Sequence, residues 1–301
     1  MIGDFTRSDL ATPAGTARTL RAFGLRPRKR LGQHFMVSRH ALERMLDAAD
    51  LSRADTVLEV GAGLGTLTAA LAERAGHVLA VEVDPALLPP LRAAVAPYPN
   101  VTVVHADIMS LDLTRVLPPT GPKKVVANLP YNVASSLIVS LLEHRLGFER
   151  MVLTLQREVA ARLAAPPGIK DYGVLSVAVQ YRAVASVVAT ISASAFYPPP
   201  EVESAIVLLH IRPRPVIDLN DEALFFRVVR AAFAQRRKTL RNALAGALPL
   251  SPGQAEAACR RAGIEPRRRG ETLTLQEFAA LVDSVGSEID RRKQTPIREE
   301  Q

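Results

Sequence analysis

Short apolar runs alternate with amphipathic stretches along the first two-thirds of the chain. Residues 56–60, 77–83, 101–105, 124–128 and 150–155 have the length and β-branched content of buried strands. Between and after them, residues 65–75, 85–95, 134–143, 157–165 and 172–181 carry apolar positions at helical spacing. A further helix is predicted over 38–50, with Ser38 as N-cap and Leu42, Met45 and Leu46 as its apolar stripe. Strand and helix in alternation predict a mostly parallel sheet with helices on both faces. A later pair of runs, 183–191 and 205–211, flanks Phe196-Tyr197-Pro198-Pro199-Pro200 and predicts an antiparallel edge. After Arg212-Pro213-Arg214-Pro215 the pattern turns to helices alone, over 221–234, 237–248, 251–262 and 274–285. The expected class is therefore an α/β domain followed by a small all-α C-terminal domain, with the boundary near 213–220 where prolines interrupt the pattern. Residues 1–25 have no clear period and read as a loose arm or one short helix; the charged tail from 287 reads as frayed.

The first strand leads into Glu59-Val60-Gly61-Ala62-Gly63-Leu64-Gly65-Thr66. Glycines at alternate positions allow a tight turn and close approach of a ligand to the backbone, and the helix that follows points free N–H groups back at the turn. The spacing is not the G-x-G-x-x-G of a dinucleotide site, and no Lys-Ser/Thr pair follows as a phosphate loop requires. Glu82 ends the second strand about 20 residues after Gly61, well placed to accept both hydroxyls of a ribose. A solvated strand-end carboxylate is the plainer reading of Glu82. A turn or N-cap carboxylate is the plainer reading of Asp107. In open sheets of this type ligands bind at the carboxyl ends of the strands, and Gly61, Glu82, Asp107 and Asn128 all fall there.

Charge changes the picture of partners. The chain has 301 residues, a net charge of +8 and 48% hydrophobic residues. Such a surplus points to nucleic acid or an anionic membrane as partner. From Leu10 to Leu42 there is no acid, while Arg18, Arg21, Arg26, Arg28, Lys29, Arg30 and Arg39 are basic. This is either a solvated tail or a phosphate-binding arm. A second acid-free stretch, from Ala223 to Ala255, holds Arg227, Arg230, Arg236, Arg237, Lys238 and Arg241, expected on the outward face of helices; Arg267-Arg268-Arg269 adds to this field. A single cysteine, Cys259, excludes an internal disulfide, and the six histidines show no metal-ligand spacing. No apolar run reaches 18 residues and no signal-peptide pattern is present, so the cytoplasm is the expected location.

Asn128-Leu129-Pro130-Tyr131 makes the reading specific. With Leu31-Gly32-Gln33-His34-Phe35, the glycine turn, Phe196-x-Pro-x-Pro-x-Val-x-Ser and Gln235-Arg236-Arg237-Lys238-Thr239-Leu240-Arg241-Asn242, it resembles the small-subunit ribosomal RNA adenine N6,N6-dimethyltransferases of the KsgA type. The resemblance runs from about Arg28 to Val285. It implies a Rossmann-like class I methyltransferase domain over 28–214, preceded by a basic arm, 1–27. A helical RNA-binding domain over 215–286 and a charged tail over 287–301 would follow.

The implied reaction is transfer of two methyl groups from S-adenosylmethionine to N6 of each of two neighbouring adenosines. These lie in the 3′-terminal hairpin of small-subunit rRNA, and the reaction belongs to small-subunit biogenesis. Carried over by position, Gln33, His34, Met36, Gly61, Gly63, Glu82, Val83, Asp107, Ile108 and Asn128 would surround the cofactor. The family often has Asn where His34 stands and Leu where Met36 stands. The Asn128 side-chain oxygen and the Leu129 carbonyl would accept hydrogen bonds from the adenine amine; Pro130, lacking an N–H, stiffens the loop. Tyr131 would stack on the target base and Phe196 close its other face. Arg236, Arg237, Lys238 and Arg241 would bind RNA, and no metal is required. The implied substrate is rRNA within a pre-ribosomal small subunit, met by a monomer away from any membrane. The alternatives are a large-subunit rRNA adenine N6-methyltransferase of the macrolide-resistance type and a non-catalytic nucleic-acid-binding factor on the same fold. A DNA or protein amide methyltransferase would usually show Asp/Asn-Pro-Pro-Tyr in place of Asn-Leu-Pro-Tyr.

Overall fold

The computed structural model describes residues 10–294. The first nine residues of the expected arm and residues 295–301 of the expected tail lie outside the described residues. The elements run α1 (Pro13–Ala22), β1 (Phe35–Met36), α2 (Arg39–Ala49), β2 (Thr56–Val60), α3 (Thr66–Ala72), β3 (His77–Glu82), α4 (Leu88–Val95) and β4 (Val101–His105). They continue with α5 (Leu113–Val116), β5 (Lys123–Asn128), α6 (Ala134–Glu143), β6 (Phe148–Gln156), α7 (Arg157–Ala164), α8 (Val174–Arg182), β7 (Ala183–Ile191), β8 (Phe196–Tyr197) and β9 (Ser204–Ile211). The last helices are α9 (Glu222–Phe233), α10 (Leu240–Ala247), α11 (Pro252–Arg261) and α12 (Leu275–Gln294).

The main sheet has seven strands in the order β4-β3-β2-β5-β6-β9-β7. Strands β2 to β6 are parallel, and β9 runs antiparallel to both β6 and β7. The order reverses between β2 and β5, and ligands bind at such switch points. Val57, Leu58 and Val60 of β2 are buried, as are all six residues of β3 except His77. Leu42, Met45 and Leu46 of α2 pack with Leu67, Leu71, Val126 and Val152. Burying a side chain of this size contributes about 1.5–3 kcal/mol.

Two elements near the sheet's carboxyl end escaped the periodicity. Strands β1 and β8 pair antiparallel, Met36 opposite Phe196 and Phe35 opposite Tyr197. Two residues per strand are too few to show a period of two. The pairing sorts the side chains: Met36 and Phe196 pack with the α2 core, Phe35 and Tyr197 with Leu10, Leu20, Leu64 and Leu87. The N-terminal segment forms helix α1, capped by Thr12, whose hydroxyl oxygen accepts from the Gly15 N–H at 3.1 Å.

By packing, the chain falls into two units. One holds the residues up to Ala161 and Ala183–Pro213; the other holds Arg162–Arg182 and the chain from Arg214 onward. Helix α8 thus belongs with the C-terminal helices. There Tyr181 packs on the rings of Phe225 and Phe226, and Arg182 pairs with Glu222. The last helix runs on to Gln294, past the expected end at 285. Its polar extension is held by Glu288, which is buried and bridged by Arg261 at 2.6 Å.

Candidate active site

A cleft opens where β2, β3 and β5 end. Its walls are the 31–36 segment, the glycine turn, Glu82 and Val83, and the Asn128–Tyr131 turn. Its volume is about 750 Å³, counting space open to solvent. The glycines have left-handed backbone, with φ of 76° at Gly61, 60° at Gly63 and 87° at Gly65. At Gly63 a Cβ would also stand 3.3 Å from the Phe35 ring. The chain can therefore turn here only without side chains.

Glu82 is 4% exposed and fixed by backbone donors. Its Oε2 accepts from the Gly63 N–H at 2.8 Å and its Oε1 from the Asp84 N–H at 2.9 Å. Burial raises its pKa from the ordinary carboxylate range, and those hydrogen bonds oppose the shift. Each oxygen keeps a lone pair for a ligand hydroxyl. Glu59, on β2, also lines the cleft and is 1% exposed. Burial pushes its carboxyl up to about 8; the Thr68 hydroxyl beside it opposes this, and the nearby Glu82 charge adds to it. Glu59 Oε2 and the Thr68 hydroxyl are both buried without a hydrogen bond of good geometry.

Asp84, 2% exposed, staples the 28–36 segment to the tip of β3. Its Oδ1 bridges Arg28 at 2.7 Å and its Oδ2 accepts from Gln33 Nε2 at 2.8 Å. Gln33 Oε1 accepts from the Arg28 N–H at 2.8 Å. Gln33 lines the cleft, and its amide also ties the 28–36 segment to Asp84. Asn128 Nδ2 donates to the His34 carbonyl at 2.9 Å. That bond orients the amide and leaves Oδ1 as its acceptor end. His34 shares a hydrogen at Nδ1 with the Pro198 carbonyl, 2.7 Å away, and its ring stacks on Tyr131 with centroids 5.6 Å apart. A carbonyl cannot donate, so Nδ1 carries the proton. The Tyr131 hydroxyl lies 2.6 Å from Ser204 Oγ.

The cleft thus gathers His34, Met36, Gly61, Gly63, Glu82, Val83, Asn128, Leu129, Pro130 and Tyr131. Three expected residues stand apart. Phe196 is 2% exposed and packed with Met36 in the α2 core, because the ribbon turns it inward; it does not line the cleft. Asp107 and Ile108 follow β4 outside the lining, where Asp107 Oδ1 accepts from the Met109 N–H at 2.9 Å. Glu59 was missed; its signal was an acid inside an otherwise apolar strand run.

Among the expected RNA-binding residues, Arg236, Arg237 and Lys238 lie in a turn between α9 and α10, ahead of the α10 start, and not on a helix face. The Leu240 N–H at the helix start donates to the Arg268 carbonyl at 2.6 Å, and the Lys238 N–H donates to the Gln235 carbonyl at 2.9 Å. Arg237 and Lys238 are exposed. Arg236 donates to the Lys170 carbonyl, and Arg241 pairs with Glu256 at 3.0 Å. Arg268 of the later basic run is committed to Glu277, while Arg267 and Arg269 are exposed.

Sheet order, glycine turn and acidic strand tip together define a Rossmann-like methyltransferase. The profile of the ribosomal RNA adenine dimethylase family matches residues 24–286. The chain belongs to that family and is an rRNA adenine dimethyltransferase. It is 45% identical over 284 residues to "Ribosomal RNA small subunit methyltransferase A" of Geobacillus sp. (strain WCH70), covering 92% of this chain and 98% of the relative. It is 46% identical over 289 residues to the protein of that name from Pelotomaculum thermopropionicum, covering 91% and 97%. A crystal structure of a dimethyladenosine transferase from Plasmodium falciparum shares the fold, with a TM-score of 0.72 and 23% identity over 84% of this chain and 98% of that one. A structure of the 23S rRNA methyltransferase ErmE has a TM-score of 0.63 and 27% identity, over 83% and 99%. Similarity of this extent to small-subunit enzymes favours them over the large-subunit alternative. Among the described residues, no helix is long and apolar enough to cross a membrane.

Proposed function

We propose that the protein transfers methyl groups from S-adenosylmethionine to N6 of two adjacent adenosines in the 3′-terminal hairpin of small-subunit rRNA. It acts as a monomer in the cytoplasm, on a pre-ribosomal small subunit. The observation that carries this reading is the Asn128 amide, oriented by its bond to the His34 carbonyl, on a residue that lines one cleft with the glycine turn and Glu82.

The residues present fit such a cofactor. Glu82 offers lone pairs to a ribose diol, the Cβ-free turn admits ligand against the backbone, and Val83, 47% exposed, presents an apolar face to a purine. Asp107 stands past the next strand, where it would meet the cofactor's adenine edge. Bound there, the sulfonium would supply an already activated methyl group, so no metal is called for.

Adenine N6 is a weak nucleophile because its lone pair is delocalised into the ring. Asn128 Oδ1 and the Leu129 carbonyl accept hydrogen bonds from the amine and hold it in line for attack. Pro130 has no N–H to compete for those acceptors. Tyr131, braced by His34 on one face and by Ser204 at its hydroxyl, offers a fixed ring for an unstacked base. Stacking of this kind contributes on the order of 1–3 kcal/mol per base. The amine becomes acidic as it is methylated, and water takes the proton. Exposed Arg237, Lys238, Arg267 and Arg269 in the helical unit bind phosphates; Arg21, Arg26, Lys29 and Arg30 do so in the α/β unit.

Asn128→Ala tests the assignment. Methyl transfer to unmethylated small subunits should fall by roughly 100-fold or more, with rRNA binding retained. Full activity in the variant would remove Asn128 from the chemistry.

A further inference from the structure

With Phe196 in the core, the Phe196-x-Pro-x-Pro-x-Val-x-Ser motif has no aromatic face in the cleft. The segment meets Tyr131 instead, and does so twice. The Pro198 carbonyl accepts the Nδ1–H of His34 at 2.7 Å, and the His34 ring stacks on Tyr131 with 24° between the planes. Ser204 Oγ lies 2.6 Å from the Tyr131 hydroxyl. Ser204 is a firm post. It is buried and opens β9, paired with Gln156 of β6 on one side and Ile191 of β7 on the other. Tyr131 is half-buried on the turn that follows β5 and lines the cleft. Burial raises the pKa of its phenol, so the hydroxyl keeps its proton. A ring on a turn moves among rotamers unless something holds it. Here His34 holds one face and Ser204 the hydroxyl end, which leaves the opposite face to a base.

We propose that Ser204 is a positioning residue whose hold on Tyr131 governs the second of the two methyl transfers to each adenosine. This rests on the roles given above to Asn128, Leu129 and Tyr131. The unmethylated amine has two N–H groups, one for Asn128 Oδ1 and one for the Leu129 carbonyl. In the first transfer the N6 lone pair forms the new N–C bond. The pair of the broken C–S bond stays on sulfur, and one N–H proton passes to water. A single N–H is left, so the second transfer starts with one hydrogen bond fewer. Alignment of N6 with the next methyl group then depends more on the ring against which the adenine stacks. A Tyr131 ring released at its hydroxyl still serves an amine anchored twice, but serves poorly one anchored once. Ser204 touches neither substrate nor cofactor in this account and acts through Tyr131 alone.

The test is methyl transfer by the full chain to unmethylated small subunits, sampled over time and resolved into N6-methyladenosine and N6,N6-dimethyladenosine. Ser204→Ala should slow the second transfer about three- to tenfold, the range that one neutral hydrogen bond supplies, and the first by less than about twofold. N6-Methyladenosine should therefore accumulate above its wild-type level. Tyr131→Phe keeps the ring, removes the same bond from its other end and should give the same pattern. The double variant should be no slower than either single one, because both act through one bond. Affinity for S-adenosylmethionine, read by calorimetry, should stay at the wild-type value in Ser204→Ala. Equal slowing of both transfers, slowing of neither, single-variant deficits that multiply in the double variant, or weakened cofactor binding in Ser204→Ala would each overturn the proposal while leaving the proposed function intact. Absence of transfer by wild type would overturn both. Tyr131→Phe decides the matter if Ser204→Ala fails to fold.

Discussion

A carboxyl buried like Glu59 makes stability depend on pH. Its folded value is about 8 against an ordinary 4.5. As pH rises through 4.5 the unfolded chain loses this proton while the empty folded protein keeps it, so stability falls until the folded value is passed. Each unit of difference is worth about 1.4 kcal/mol, an effect on the order of a few kcal/mol in all. Gln cannot titrate. Melting of the empty protein should therefore show Glu59→Gln close to wild type at about pH 5 and clearly more stable at about pH 8. An equal difference at both pH values would mean that Glu59 is ionised in the folded state. Other residue-scale features were only half legible in the sequence. Strand-end position placed Glu82 and Asn128 in the cleft. It could not show that the Gln33 amide donates to Asp84, because that bond joins positions 51 residues apart.

At the scale of elements, the glycine turn has a structural load separate from its ligand. A Cβ at Gly65 would stand 3.0 Å from Ala94 Cβ and 3.1 Å from Leu91 Cδ1, on backbone with φ of 87°. Strain and overpacking of this kind cost about 1–3 kcal/mol each. Gly65→Ala should lower the melting temperature by several degrees through the α3–α4 contact; an unchanged melting temperature would show that the helices separate freely there. Long periodic elements were readable: the sequence-derived bounds of β7 and α6 coincide with Ala183–Ile191 and Ala134–Glu143. The β1–β8 ribbon was not, since its register comes from a partner 160 residues away. That register also explains Phe196. A residue whose motif places it over a base is turned into the core by its pairing with Met36. Residues 237–239 were misread as the start of a helix because arginine and lysine favour helices by propensity, while the backbone there folds into a turn.

For the whole molecule, charge is the property that speaks to the partner. A net charge of +8 matters through the cations left exposed, and several arginines are already committed to Glu or Asp. Arg237 and Lys238 are exposed on their turn. Replacing both by Ala should weaken rRNA binding and reduce the slope of log affinity against log salt by about 2. An unchanged slope would take that turn out of the interface. Methyl-transfer chemistry and the choice of RNA are separable in such a protein, and the choice of RNA is what the account claims most strongly. The direct measurement is transfer of tritiated methyl groups to unmethylated small subunits, to large subunits and to duplex DNA, followed by nucleoside analysis. The account predicts label in N6,N6-dimethyladenosine from small subunits alone. Label in large-subunit RNA, in DNA, or in monomethylated adenosine only would contradict it.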